Sequence, residues 1–118
     1  MAKPANCISV TEARTLQTNW RSTRAVEIEA AQGSKDACDF VFSVDELQEF
    51  IDYVKDLSTK QGINSPGIRV YFAAYDDDQS DKATVFLAPT KDVTADADNN
   101  YSIDPLNRGQ TGWPPNNY

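Results

Sequence analysis

The stretch from Asp39 to Thr90 constrains the fold more than any other, because every boundary in it carries a local signal. The order of patterns is strand, helix, strand, turn and strand. After a short apolar run at 40–42, Ser43 and Glu46 form a capping box, in which the hydroxyl accepts from the Glu46 N–H and the carboxylate reaches back. Gly62 stands where the helix needs a left-handed residue to end. The segment therefore predicts a helix lying on a small sheet.

The apolar residues of this predicted helix recur every third or fourth position: Leu47, Phe50, Ile51, Val54 and Leu57. This spacing is typical of a helix with one face on a sheet. Burial of each large apolar side chain stabilises by roughly 1.5–3 kcal/mol, so we expect Phe50→Ala and Ile51→Ala to be severe.

Two predicted strands follow, at 68–75 and 83–88, separated by a polar connection. Both strands are apolar on both faces, which is typical of central strands that are covered twice. The predicted helix can cover one face. The first helix or the C-terminal segment has to cover the other.

A second capping box, Ser9 with Glu12, opens a first helix. We favour helix to about Ala31, because Gly33 supplies a C-terminal stop and no turn signal interrupts the pattern earlier. The alternative is a strand at 26–29, where the residues alternate at period two, paired as a hairpin with 40–42.

From Asp92 onward the chain has no long periodic segment, yet it contains apolar and aromatic residues that a disordered tail normally lacks. We expect 101–113 to pack on the body or on a neighbouring copy, with Trp113 largely buried.

The predicted organisation is a core domain at 1–91 and an extension at 92–118. The predicted fold is α+β: two helices, a small antiparallel sheet of about three strands, and an ordered irregular C-terminal extension.

Composition excludes several function classes. The formal net charge is −7, which opposes binding to nucleic acid and to anionic membranes. There is no histidine, which removes the commonest general base and metal ligand. We find no apolar run near ~18 residues and no secretory signal, so we expect a soluble cytoplasmic protein.

The two cysteines, Cys7 and Cys38, are expected to be reduced thiols, with a single bridge as the alternative for an exported chain.

Four stretches, at 42–54, 67–75, 84–90 and 105–109, together with the pair Pro114-Pro115, resemble a group of small uncharacterised proteins found mainly in Bacteroidota. The resemblance implies a fold-sized unit and no particular chemistry. Members of that group often have cysteines around the final proline pair. This chain has Trp113 before the proline pair and two asparagines after it instead, which removes a thiol-based role.

Protein interaction is the function that the residues favour. The extension offers candidate contact residues, which are Tyr101, Arg108, Trp113 and Tyr118. A proline pair beside them favours extended polyproline structure with little entropy to lose. A second candidate is the aromatic and cationic strand face formed by Arg69, Tyr71, Tyr75 and Phe86, which is expected to lie under the first helix or to meet a partner. We expect a protein partner or a homo-oligomer, and no cofactor.

The alternative from another class is a carboxylate-based hydrolase or a calcium-binding protein. Its candidate ligands open like a calcium loop, and they are Asp96, Asp98, Asn100 and Asp104. Tyr101, however, stands where such a loop needs glycine, and Asn107 stands where it needs a bidentate glutamate. A second acidic cluster, at 76–81, is typical of a solvated turn.

Overall fold

The computed structural model describes all residues from Met1 to Tyr118, and its class is α+β as predicted. The chain has two helical stretches, the first of them broken once, and four strands. The elements in chain order are α1 (Val10–Ser22), α2 (Arg24–Gln32), β1 (Phe40–Val41), α3 (Val44–Lys60), β2 (Gly67–Ala74), β3 (Ala83–Thr90) and β4 (Gln110–Thr111).

The residues group into two compact units. The first contains Met1–Asp39 and Gly112–Tyr118, and the second contains Phe40–Thr111. These bounds differ from the segments 1–91 and 92–118, whose standing as domains stays a prediction. The strands form two antiparallel pairs, β1 with β4 and β2 with β3, instead of one sheet of about three strands. β4 carries no sequence pattern of its own, because two residues are too few to show alternation.

In the first unit, the Ser9 hydroxyl caps α1 by accepting from the Glu12 N–H at 3.0 Å, as predicted. The helical prediction for 25–31 is also confirmed, and Gly33 ends α2 with a φ of 80°. The strand alternative is therefore wrong. The helix is broken at Thr23, whose hydroxyl donates to the Asn19 carbonyl at 2.5 Å. Hydroxyls that donate to a carbonyl one turn earlier bend helices. The pair of Ser22 and Thr23 is therefore a turn signal within the predicted helix.

In the second unit, α3 begins and ends where its caps predict. The Ser43 hydroxyl accepts from the Glu46 N–H at 2.9 Å, and Gly62 has a φ of 75°. Phe50 and Val54 form a buried core cluster with Ile103, and Leu57, Leu87 and Leu106 pack against it. Ile51 is exposed instead, so its assignment to the buried stripe is wrong. It lies at the margin of the apolar stripe, whose buried residues are Phe50 and Val54.

The β2–β3 hairpin pairs in register from Gly67 opposite Thr90 to Ala74 opposite Ala83. On its other side β3 meets the extension, through isolated bridges between Leu87 and Leu106 and between Thr90 and Asn99. The part of the extension that precedes β4 thus packs on the hairpin and supplies Ile103 to the core.

Nowhere does the structure contain a helix long and apolar enough to cross a membrane.

Candidate protein-interaction site

One edge of β2 has no partner strand. Antiparallel strands alternate between residues that bond to one neighbour and residues that point to the other side. The Tyr75 N–H donates to the Lys82 carbonyl at 3.0 Å, which places the odd-numbered residues of β2 in the ladder with β3. The backbone groups of Ile68, Val70 and Phe72 therefore point away from β3. No strand pairs with them, since β2 has β3 as its single neighbour.

β3 shows the same alternation, but its backbone groups on the side away from β2 are hydrogen-bonded to the extension. Leu87 donates to the Leu106 carbonyl at 2.8 Å and accepts from the Leu106 N–H at 2.9 Å. The Pro89 carbonyl likewise accepts from the Asn100 N–H at 2.9 Å. The extension thus protects the outer edge of β3, and the corresponding edge of β2 stays open.

The side chains at this open edge are apolar and exposed. Ile68 is 37% exposed, Val70 is 57% exposed and Phe72 is 89% exposed. They share one face of the hairpin with their cross-strand partners Pro89, Leu87 and Val85, which are buried or partly buried. The prediction that both strands are central and covered twice is therefore wrong for β2. The core cluster includes Leu87 of β3 and no residue of β2.

The opposite face of β2 is fastened to the extension. The Arg69 guanidinium donates to Asn99 Oδ1 at 2.6 Å and to the carbonyls of Ala95 and Ala97 at 3.0 Å each. The Asn99 amide in turn donates to the Tyr71 hydroxyl at 2.8 Å. This hydrogen bond is the main cause that lowers the pKa of the Tyr71 phenol, and the nearby Arg69 charge acts in the same direction.

The remaining aromatic residues of this face are engaged as well. Tyr71 stacks on Phe86 with ring centroids 4.9 Å apart. The Tyr75 hydroxyl donates to Asn107 Oδ1 at 3.0 Å, and the Asn107 amide donates to the Val85 carbonyl at 2.7 Å. The partners of this predicted aromatic and cationic face come from residues 95–107. The sequence predicts that either the first helix or the C-terminal segment covers the second face of the strands, and the C-terminal segment is the one that bonds to it.

An acidic turn closes the hairpin beyond the open edge. Asp77 Oδ1 accepts from the backbone N–H groups of Gln79 at 2.8 Å and Ser80 at 2.9 Å, which is an ordinary Asx turn. Asp81 pairs with Lys82 at 3.0 Å, and that hydrogen bond lowers the pKa of the Asp81 carboxyl. None of the β2 side chains on the same face as Ile68, Val70 and Phe72 is charged.

The four predicted contact residues are divided between the two units. Tyr101 and Arg108 lie in the second unit, and Trp113 and Tyr118 lie in the first. All four are exposed, and Arg108 has a φ of 62°, which a residue other than glycine seldom adopts. Trp113 is 47% exposed, so the prediction of a largely buried anchor is wrong within one chain.

Each unit also has a shallow cavity. In the second unit, a groove of about 290 Å³ lies beside Tyr71, Phe86 and Tyr101. In the first unit, a cavity of about 260 Å³ is lined by Cys38 among others. The Cys38 sulfur accepts from the Trp20 indole N–H at 3.3 Å, and both cysteines are free thiols, as expected.

The calcium-loop alternative does not fit the geometry of its residues. Asn100 is buried, its amide donates to Gln61 Oε1 at 2.6 Å, and its carbonyl oxygen accepts from the Ser102 hydroxyl at 2.6 Å. The amide oxygen is therefore already committed to a protein partner. No group of three or more carboxylates or thiols lies close enough together to hold a metal ion.

No family model matches the chain, and no curated protein or solved structure is detectably similar to it. Membership of the Bacteroidota group accordingly stays a prediction.

The open edge of β2 is not predicted by the sequence, although part of its signal is present there. Alternate apolar residues at 68, 70 and 72 are visible in the sequence, but they equally suit a buried strand. Only the register and the place of α3 decide which residues of that face remain in water.

Proposed function

We propose that this protein is a non-catalytic interaction module that binds an extended polypeptide segment with alternating apolar residues along the open edge of β2. The observation that carries the proposal is the coincidence of unpaired backbone groups and exposed apolar side chains at Ile68, Val70 and Phe72. An exposed strand edge is a template for a further strand, and β-strand addition is a recurring mode of peptide recognition.

The edge lacks the features by which proteins block unwanted pairing. Such edges usually carry lysine, proline, a bulge or an inward-pointing charge. β2 pairs regularly over its whole length, with no proline and no bulge between Gly67 and Ala74. Its one charged residue, Arg69, points to the other face and is held there by the extension.

Backbone hydrogen bonds and the burial of apolar side chains both contribute to the free energy of binding at this edge. Each new backbone hydrogen bond contributes roughly 0.5–1.5 kcal/mol net. Burial of side chains such as Val70 and Phe72 adds roughly 1.5–3 kcal/mol each when complete. The two-stranded hairpin also gains, because sheets of three or more strands with an apolar face are far more stable than isolated pairs.

A fluorescent peptide of alternating valine and threonine tests this function by anisotropy. We expect binding to the native chain and loss of binding in Val70→Lys, which places a charge on the edge. Val26→Lys is the matched control, because Val26 is 56% exposed on α2 and the charge change is the same. Equal binding by Val70→Lys and Val26→Lys, or no binding by the native chain at any dilution, would refute the proposal.

Amide hydrogen exchange gives an independent measurement. We expect the N–H groups of Val70 and Phe72 to exchange rapidly in dilute protein without peptide and to become protected when the peptide is added. The N–H of Tyr75, which already donates to Lys82, serves as the protected reference in both states. Unchanged exchange at Val70 in the presence of bound peptide would place the binding site elsewhere.

A further inference from the structure

We infer that the segment bound by the open edge is β2 of a second copy, paired antiparallel about a two-fold axis through Val70. This inference rests on the proposed function and names its partner. The pairing would join two hairpins into one antiparallel sheet of four strands, in the order β3, β2, β2 and β3.

The register follows from the outward-pointing residues. A two-fold axis at Val70 places Val70 opposite its own copy and Ile68 opposite Phe72 of the second copy. These are the residues whose backbone groups point away from β3, so each opposed pair exchanges two hydrogen bonds, about six bonds in all. The three exposed apolar residues of each edge then meet one another and no others.

A register with the two-fold axis one residue further along pairs the large apolar side chains less well. With the axis at Tyr71, Ile68 would lie opposite Ala74, and Phe72 would lie opposite Val70. One large side chain in each copy would then face a methyl group. Cross-strand neighbours on one face contribute most when both are large and apolar, so the axis at Val70 is favoured.

Charge selects the antiparallel direction. Each hairpin ends in the acidic turn that contains Asp76, Asp77, Asp78 and Asp81. Parallel pairing would set two such turns side by side, and like charges in contact are repulsive. Antiparallel pairing about Val70 puts them at opposite ends of the paired strands, roughly 40 Å apart, which exceeds the ~8 Å screening length at physiological salt. Each acidic turn then lies near the uncharged residues 63–66 of the other copy.

The opposite face accommodates the same register. The axis at Val70 places Arg69 across from Tyr71 of the second copy. A guanidinium beside a tyrosine ring is an attractive neighbour, and both side chains are already held in place by Asn99. The pairing therefore sets no like charges directly opposite each other. The two Arg69 side chains become diagonal neighbours, and each is held by carbonyl groups of its own extension.

Sedimentation equilibrium over a dilution series tests the partner. We expect the native chain and Val26→Lys to dimerise with concentration and Val70→Lys to stay monomeric. A native chain that is monomeric at every concentration would overturn the inference. If that monomer still binds the valine–threonine peptide at the edge, the proposed function stands and only the identity of its partner is wrong.

Disulfide trapping tests the register. In a Cys7→Ser, Cys38→Ser background, Val70→Cys places two thiols opposite each other, at a Cα separation near 5.5 Å that suits a disulfide. We expect rapid covalent dimer formation under mild oxidation. Phe72→Cys is the matched control, because it is more exposed yet lies roughly 13 Å from its own copy. Equal trapping at both positions would overturn the register, whereas trapping of Val70→Cys alone would support it.

Discussion

The most informative perturbation of stability is Ile103→Ala, because Ile103 comes from the irregular extension and is 2% exposed in the core of the second unit. The change removes three carbon groups at roughly 0.8 kcal/mol each. A residual cavity among Phe50, Val54 and the leucines around them adds to this loss. We therefore expect a total cost of about 2–5 kcal/mol.

Ile51→Ala is the matched control, since it deletes the same atoms in the same unit from a side chain that is 38% exposed. Much of that side chain is already in water and no closed cavity forms, so we expect a cost below about 1.5 kcal/mol. Alanine also favours the helix, which reduces the cost further.

Urea denaturation followed by far-UV circular dichroism measures the difference. Both tryptophans, Trp20 and Trp113, lie in the first unit, so their fluorescence does not report on this core. Amide exchange at Leu87 and Leu106 reports on it directly, because their reciprocal hydrogen bonds join the extension to β3. A loss of 3 kcal/mol lowers the urea midpoint by roughly 1–3 M. Equal midpoints for the two variants would refute the argument that the extension completes the core.

Three further changes test local physics. Ser58 is 1% exposed and its hydroxyl has no hydrogen-bond partner, so Ser58→Ala should stabilise by about 1 kcal/mol in thermal melts. Ser43→Ala removes the cap of α3 and should destabilise by about 1 kcal/mol, measured by urea denaturation. The pKa of the Tyr71 phenol should lie below its ordinary value in an ultraviolet titration, and Asn99→Leu should raise that pKa. Because the folded pKa lies below the unfolded value of about 10, native stability relative to Tyr71→Phe should grow as pH rises towards 10 and be lost as pH falls through the folded pKa.

Much of the local structure is predictable from neighbouring residues. Capping by Ser9 and Ser43 and the stop at Gly62 depend on hydrogen bonds and backbone conformations within a few positions. The helix break at Thr23 belongs to the same class, since the hydroxyl bonds to a residue one turn earlier. It was missed because a Ser-Thr pair is a weaker signal than glycine or proline.

The candidate site could be predicted only in part. The sequence correctly favoured residues of β2 as a strand with two apolar faces, but it assigned contact roles to residues in the extension. The contact roles of Tyr101 and Trp113 stay predictions, and the structure adds a group of exposed apolar residues at Ile68, Val70 and Phe72.

The sequence by itself determined where the helices begin and end and where the two long strands lie, because caps, stops and periodic spacing act over a few residues. The tertiary structure alone decided that 95–107 fastens one face of β2, that Ile103 joins Phe50 in the core, and that the edge at Val70 stays open. Those outcomes depend on contacts between residues far apart in the chain. The same alternating apolar residues suit a buried strand or an open edge, and the choice depends on which distant segment packs beside them.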